Sequence, residues 1–362
     1  MRCQAGRVSD IVVEELPVPR ERSGPEWDDF VATVEVRNVC EELGYGTPDV
    51  RVTAETLHGW FQDPHSPHHL FAVRVDGRIV ARGLYEHLAE GDTRACWVDA
   101  RVLPEHRGRG IGTAIMEQLE ARARAEGRTH AIVYIVSPDA SGPRLEPPTG
   151  SGSLPADNPE VRFLQRRGYR LEQVVRGSRL PLPLDADELA RRLAAARDRT
   201  GAGYRIREWS GTTPERHRDD MAVLYTRMST DAPQGALDEP EDVWTGARVA
   251  EHEDRTNSDG TVLLTAVAED AAGHLAGFTQ LSVPPAASAP VEQRDTLVLR
   301  EHRGHALGML LKLANLAQLA RTYPGHPSIT TWNADENRHM LNVNEALGFV
   351  PMGYEGAWKL EL

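Results

Sequence analysis

Ten residues in the middle of an acidic chain, LPEHRGRGIG at 103–112, set two arginines among three glycines. A strand that stops at Val102 and turns through this segment into a helix would present successive backbone N–H groups at a positive helix end. Such a nest binds phosphate or pyrophosphate oxygens. Gly108, Gly110 and Gly112 let an anion approach the main chain without Cβ interference, and Arg107 and Arg109 offer charge-assisted hydrogen bonds. The chemistry expected is local anion binding, independent of the net charge. A dinucleotide fingerprint is excluded, because Gly108-x-Gly110 is followed by Ile111, Gly112 and Thr113; no GK[ST] triplet marks a P-loop.

The pattern recurs as LREHRGHALG at 299–308. WVDARVLPEHRGRGIG (97–112) and QRDTLVLREHRGHALG (293–308) share eight identities in sixteen positions. A repeat at an offset of 196 residues marks tandem domains, since solenoid units run only about 20–50 residues. The flanks agree. Runs at 70–75 and 79–84 enclose the turn pair Asp76-Gly77 and predict a hairpin; TVLLTAVAEDAAGHLAGFTQLSV predicts its counterpart. Each hairpin leads to a strand, the glycine-arginine turn, and an apolar helix (IGTAIMEQLEARARAEG, LGMLLKLANLAQLARTYPG). Then come a strand (HAIVYIVS, SITTWNA) and a helix ending in a Gly-aromatic pair (VRFLQRRGY, LNVNEALGF). Asp185 is placed as the N-cap of a connecting helix closed by Gly201 and Gly203. The expected organisation is two α/β domains with mixed sheets at 1–184 and 203–362, joined by a linker helix at 185–202. Two further helices are predicted around 214–227 and 240–255, and the Pro/Gly/Ser-rich stretch 137–159 reads as a loop.

Composition bounds the rest. A chain of 362 residues with 40% apolar and 26% charged side chains is that of a soluble two-domain protein. The charge of −13 argues against general affinity for nucleic acid or anionic membranes. No leader pattern opens the chain and no run approaches a membrane span, so a cytoplasmic location is expected. Cys3, Cys40 and Cys96 have no CxxC spacing, and PHSPHH (His65, His68, His69) carries two prolines that place it in a loop; no metal site is expected.

Arg107-x-x-Gly110-x-Gly112, after a strand and a proline, resembles the phosphate-binding signature of the GNAT superfamily of acetyltransferases. The order of elements in both halves is similar too, so the chain resembles a tandem GNAT acetyltransferase, with a layout similar to mycothiol synthase. The resemblance implies a mixed α/β sheet in each half and acetyl-CoA as co-substrate, with its pyrophosphate on Arg107, Gly108, Arg109, Gly110, Ile111, Gly112 and Thr113 and its acyl carbonyl near Val102. Carried over, the second copy contributes Val298, Arg303, Gly304, His305, Ala306, Leu307 and Gly308, with Asn333 and Asn337 toward the pantetheine arm. Ala306 departs from the pattern by adding a Cβ where the middle glycine stands. The tyrosine that many members use as general acid is absent; its positions hold Leu164 and Asn344. By analogy with mycothiol synthase the second half is the expected catalytic one.

The implied activity is N-acetyl transfer to a small-molecule amine by direct attack in a ternary complex. An alkylammonium, with pKa about 10, must lose a proton before attack, and Glu292, Asp295 and Asp231 are the candidate carboxylates. Strand alternation puts Glu292 and Val298 on one face and Asp295 on the other with Gln293 and Leu297, unless a bulge intervenes. Asp231, in MSTDAPQG, belongs to a loop that covers the acceptor site in GNAT folds. Two other readings stay open: a CoA-binding protein that performs no transfer, and an aminoacyl-tRNA-dependent transferase, against which the acidic balance argues.

Overall fold

The computed structural model describes residues 11–362; Cys3 and most of the stretch examined for a leader lie outside them. The first half runs β1 (Glu14–Leu16), α1 (Gly24–Tyr45), α2 (Ala54–Phe61), β2 (His68–Val75), β3 (Arg78–Glu86), β4 (Ala95–Val102), α3 (Ile111–Ala125) and β5 (His130–Ser137). It continues through β6 (Arg144–Leu145), β7 (Leu154–Pro155), α4 (Pro159–Arg166) and β8 (Arg170–Pro181). The helix α5 (Ala186–Thr200) follows, and the Asp185 carboxylate caps it by accepting from Glu188 N (2.7 Å). The second half runs β9 (Arg205–Ser210), α6 (Arg218–Asp231), α7 (Gly246–Thr256), β10 (Val262–Glu269), β11 (Leu275–Val283) and β12 (Val291–Val298). It ends with α8 (Leu307–Thr322), β13 (Ser328–Ala334), α9 (Arg338–Leu347) and β14 (Val350–Glu361).

The predicted hairpin forms as β2–β3. Asp76 and Gly77 both take positive φ (50° and 78°), the geometry that matches strand twist in a two-residue turn. Twelve strands form one mixed sheet in the order β1-β2-β3-β4-β5-β14-β8-β13-β12-β11-β10-β9. The halves therefore exchange their last strands. β14, at the end of the second half, pairs antiparallel with β5 of the first, and β8 pairs with β13 of the second. The cores follow the exchange: Trp358 of β14 is fully buried among first-half residues such as Ile115, Leu119 and Val133, while Leu180 of β8 packs with Leu264, Leu316 and Ile329.

Several sequence expectations are corrected. The stretch 137–159 is structured: β6 and β7 form a two-stranded ribbon, Arg144 bridges it to Asp139 (2.7 Å) and Ser153 (3.0 Å), and Leu154 is buried in the first-half core. Helix α6 extends through the predicted MSTD turn because Asp231, its last residue, is held by two arginines. Helix α7 starts six residues later than the 240 expected, where the Thr245 hydroxyl caps Arg248 N (3.2 Å). The three clustered histidines do not all lie in a loop, since His68 and His69 open β2, and they face three different acids, His65 to Glu251, His68 to Glu86 and His69 to Glu15. Among the described residues no helix is long and apolar enough to cross a membrane.

At the centre of the sheet Gly353 of β14 sits opposite Gly177 of β8, and the ring of Tyr45 occupies the space their missing side chains leave. A Cβ on Gly353 would stand 2.5 Å from Tyr45 Cδ1. Gly353→Ala should therefore overpack this junction and lower stability by roughly 1–3 kcal/mol in urea unfolding. Gly203→Ala, where a Cβ meets nothing within 4 Å, should stay within about 0.5 kcal/mol of wild type.

Candidate functional site

The first glycine-arginine turn has the form that the residue types require. After β4, Gly108 and Gly110 adopt φ of 73° and 86°, and Gly110 is the left-handed N-cap of α3. The first intrahelical bond is Ala114 N–H to Gly110 O (3.0 Å), so the amides of Ile111, Gly112 and Thr113 point out of the helix end. β4 and β5 pair in parallel only at Ala95–Trp97 and then diverge. Into this opening runs a cavity of about 410 Å³ that reaches from Gly108–Thr113 past Ala100, Arg101 and Val102 to Val136 on β5. Phe163 and Arg166 of α4 form its other wall. Free amides at one end and two separated strand edges at the other suit a long, thin ligand with an anionic head.

The two arginines also brace the turn. Arg107 Nε donates to Val102 O (2.9 Å) and Arg109 Nη2 to Glu105 O (2.8 Å). Arg107 ties the loop to the end of β4 and Arg109 ties the loop to itself; both residues stay exposed, and Arg107 lines the cavity.

Deep to this cavity lies a buried charged network that sequence reasoning missed. Arg101 donates to Glu41 Oε1 through Nε (3.2 Å) and Nη2 (2.9 Å), and pairs with Asp99 (2.6 Å). Burial opposes its charge, but Asp99 and Glu41 outweigh burial and hold the guanidinium ionised. Arg82, 2% exposed, is pushed down to about 10 by burial, partly offset by Asp99. Tyr45 donates to Glu355 of β14 and accepts from Trp332 Nε1 (2.6 Å). Asp99 and Arg101 lie two apart on one strand face, a visible signal; Glu355, some 250 residues away, gave none.

The second turn repeats the backbone but not the surroundings. Gly304 takes φ 88° and Ala306 φ 58°, so Ala306 forms the same left-handed N-cap as Gly110 despite its Cβ. Arg303 Nε again staples the strand end at Val298 O (3.0 Å). Its Nη2 and Arg300 both bind Asp231 (2.8 and 3.0 Å), whose side chain is only 5% exposed. Asp231 is thus an ion-pair partner of its own motif and is not available as an ammonium anchor. The connecting segment packs against this turn: Thr200 donates to His305 O (3.1 Å) and Tyr204 OH meets His302 Nδ1 (3.0 Å). Leu307 is buried in the core beneath it. Asn337 caps α9 by accepting from Met340 N (3.2 Å), and Asn333 Oδ1 accepts from Asn344 (2.7 Å). Leu164 and Asn344, the two positions lacking the expected tyrosine, are both buried.

For Glu292 and Asp295 simple alternation fails. β11 and β12 shift register between Thr279 and Leu281, which pair with Thr296 and Gln293, leaving Arg294 and Asp295 opposite one residue. This bulge returns Gln293 and Thr296 to one face, where both meet Thr279 Oγ1 (3.1 and 2.7 Å). Glu292 and Asp295 thereby share the opposite face with Leu297, and Val298 moves away from Glu292. Burial raises the Asp295 carboxyl, with Glu292 adding to the rise and Arg294 opposing it. Glu292 and Arg294 line a separate cavity of about 320 Å³ bounded by Trp60, Asp63 and His252.

Fold and cradle together define a class: two GNAT-type units fused in one chain, each with a strand–turn–helix at the splayed fourth and fifth strands. Comparison with known proteins agrees. Residues 31–141 match the model of the acetyltransferase (GNAT) family. A tandem GNAT protein from the clavulanic acid biosynthesis pathway superposes with a TM-score of 0.72 at 26% identity, over 97% of this chain and 98% of that one. A GCN5-related N-acetyltransferase from Sphaerobacter thermophilus gives 0.59 at 15%, over 97% and 95%. The N-myristoyltransferase of Saccharomyces cerevisiae with bound myristoyl-CoA gives 0.56 at 12%, over 98% and 79%. These last two show the fold alone. No curated protein matches the chain. The chain thus has the fold of a tandem GNAT protein, and residues 31–141 match the acetyltransferase (GNAT) family.

The left-handed Ala306 makes a direct prediction. An L-residue there carries about 1 kcal/mol of strain that glycine lacks. Ala306→Gly should raise the thermal midpoint by about a degree in calorimetry, and an unchanged or lower midpoint would contradict the geometry.

Proposed function

We propose that the chain transfers an acetyl group from acetyl-CoA to the amine of a small molecule, and that the first half carries out the transfer. The reading treats 1–184 and 203–362 as the GNAT-like units and 185–202 as their linker, each unit lending the other its last strand. The observation that carries it is the cavity running from the free amides of Ile111, Gly112 and Thr113 to the gap between β4 and β5. A diphosphate fits the amide end without a metal or a lysine, because three main-chain donors and the helix end supply the positive field. The β4 edge beyond Trp97 leaves main-chain N–H groups for the acyl oxygen, whose charge grows as an amine adds. Holding amine and thioester together at this gap supplies much of the remaining acceleration. The preference for the first half departs from the expectation that favoured the second. It rests on Gly110 against Ala306, and on an open first turn against a second turn whose arginine is neutralised by Asp231.

A matched pair of variants tests this. A side chain on Gly112 would have only ordinary contacts, 3.7 Å from Phe163 and Val102, and one on Gly308 would meet nothing within 4 Å. Both Gly112→Asp and Gly308→Asp should fold. Calorimetric titration with acetyl-CoA should show about one site per chain. Gly112→Asp, which puts a carboxylate against the diphosphate, should weaken binding at least tenfold, about 1.4 kcal/mol, while Gly308→Asp leaves it unchanged. Equal effects from the two variants, or none from Gly112→Asp, would refute the assignment.

A further inference from the structure

The exchanged strand does more than complete a core. Glu355 of β14 lies opposite Val136 of β5, and Val136 is a wall residue of the donor cavity. It therefore sits one strand beyond the cavity wall, across β5 from the β4 cleft, and it is half-buried. α1 packs over it from the other side, with Tyr45 donating to its carboxylate and Trp332 of β13 fixing Tyr45 in turn.

The charges around it are already committed. From α1 come Arg37, Glu41 and Tyr45; from β4 Asp99 and Arg101; from β5 Tyr134. Arg101 is spent on Glu41 and Asp99, and Arg37 donates to Asn38 Oδ1 (3.0 Å) and Val50 O (2.9 Å). No ion pair to Glu355 forms among the described residues. Burial, reinforced by Glu41, pushes its carboxyl up to about 7, against the Tyr45 hydrogen bond and the more distant arginines. Two more acids approach from the second half. Glu239 accepts from Tyr134 OH (2.6 Å), and Glu336 accepts from Gln173 (2.7 Å) while its second oxygen is buried without a partner.

We propose that Glu355, delivered by the second half, is the proton acceptor of the first half's transfer site, and that the amine it serves is cationic and carries no carboxylate of its own. This rests on the donor assignment above. The ammonium N–H proton passes to the Glu355 carboxylate, leaving a neutral amine with its lone pair. That nitrogen adds to the thioester carbonyl carbon; the C–S bond then breaks as the C=O re-forms. The second nitrogen proton is lost to the departing thiolate, giving amide and thiol, and Glu355 returns its proton to solvent. Glu239, Glu336 and Glu355, none of them ion-paired among the described residues, favour a cation beside them and disfavour a substrate carboxylate. Tyr45 is a positioning residue, holding the Glu355 carboxylate through its hydroxyl.

The test uses the full chain, acetyl-CoA, and thiol release with putrescine, spermidine, glycine and L-glutamate as acceptors. Turnover is expected with the two polyamines and not with the two amino acids. The rate should rise with pH through about 7, because the base must be unprotonated. Glu355→Gln should cut kcat about 100-fold, abolish that limb and leave acetyl-CoA affinity unchanged. Tyr45→Phe removes a bond that favours the charged carboxylate and should move the limb to higher pH, a shift that a merely structural role would not cause. Retention of kcat and limb in Glu355→Gln, preference for the amino acids, or no turnover with any acceptor while acetyl-CoA still binds would each overturn the inference without touching the donor assignment. Loss of acetyl-CoA binding to the wild-type chain would instead remove the donor assignment itself.

Discussion

The arrangement depends on one pairing, the antiparallel ladder between β14 and β5. β4 and β5 hold together for only three residue pairs before they separate, and without β14 the opposite edge of β5 would be unpaired along its whole length. Unpaired edges are costly inside a domain and hazardous outside one. β14 closes that edge over eight residue pairs, from Tyr354 to Glu361, and buries Trp358 completely in the first-half core. Loss of a side chain of that size from a core costs roughly 3–5 kcal/mol, so the first half is not independent of the last twelve residues of the chain. β8 does the reciprocal service for β13. The open cleft between β4 and β5 and the closed seam between β5 and β14 are two sides of the same constraint.

Duplication and asymmetry coexist on this frame. Both motif turns keep the positive-φ pair and the arginine that staples the strand end. What differs is the neighbourhood. The first turn faces a cavity. The second has a Cβ at its N-cap, Asp231 against its arginines, and the Thr200–Tyr204 segment packed on its flank. A turn built to attract an anion has there acquired an internal one. The field at a helix end is set by what reaches it, and an aspartate 5% exposed satisfies locally what the first copy leaves open.

The overall acidity and the local cradle are reconciled by distance. Surface charges are screened over about 8–10 Å at ordinary ionic strength, so the −13 balance is felt weakly at main-chain amides in a cleft. Buried charges are another matter. Arg82, Arg101 and Glu41 sit together out of water beside the partly exposed Asp99, and each is tolerable only because the others are present. Such a cluster is weak evidence for stability; what it does is fix charge along the wall of the donor cavity, where Arg101 is a lining residue.

From residue types and local spacing alone came the duplicated order of elements, the Asp76-Gly77 hairpin, the Asp185 cap and the glycine turns at the helix starts. Each is decided by contacts within a few residues: glycine at a left-handed position, a carboxylate three residues before an amide, apolar side chains at a helical period. Tertiary structure alone decided the exchange of β8 and β14, since two strands of similar pattern are equally good neighbours for β5 and only packing over the whole sheet selects one. It decided the bulge at Arg294–Asp295, which reverses every face assignment beyond it because side chains alternate strictly. It also set Asp231 against Arg300 and Arg303 as an internal ion-pair partner, and brought Glu355 beside Tyr45 across 310 positions of chain. Short-range chemistry wrote the cradle; the company it keeps was settled by which strands could share one sheet.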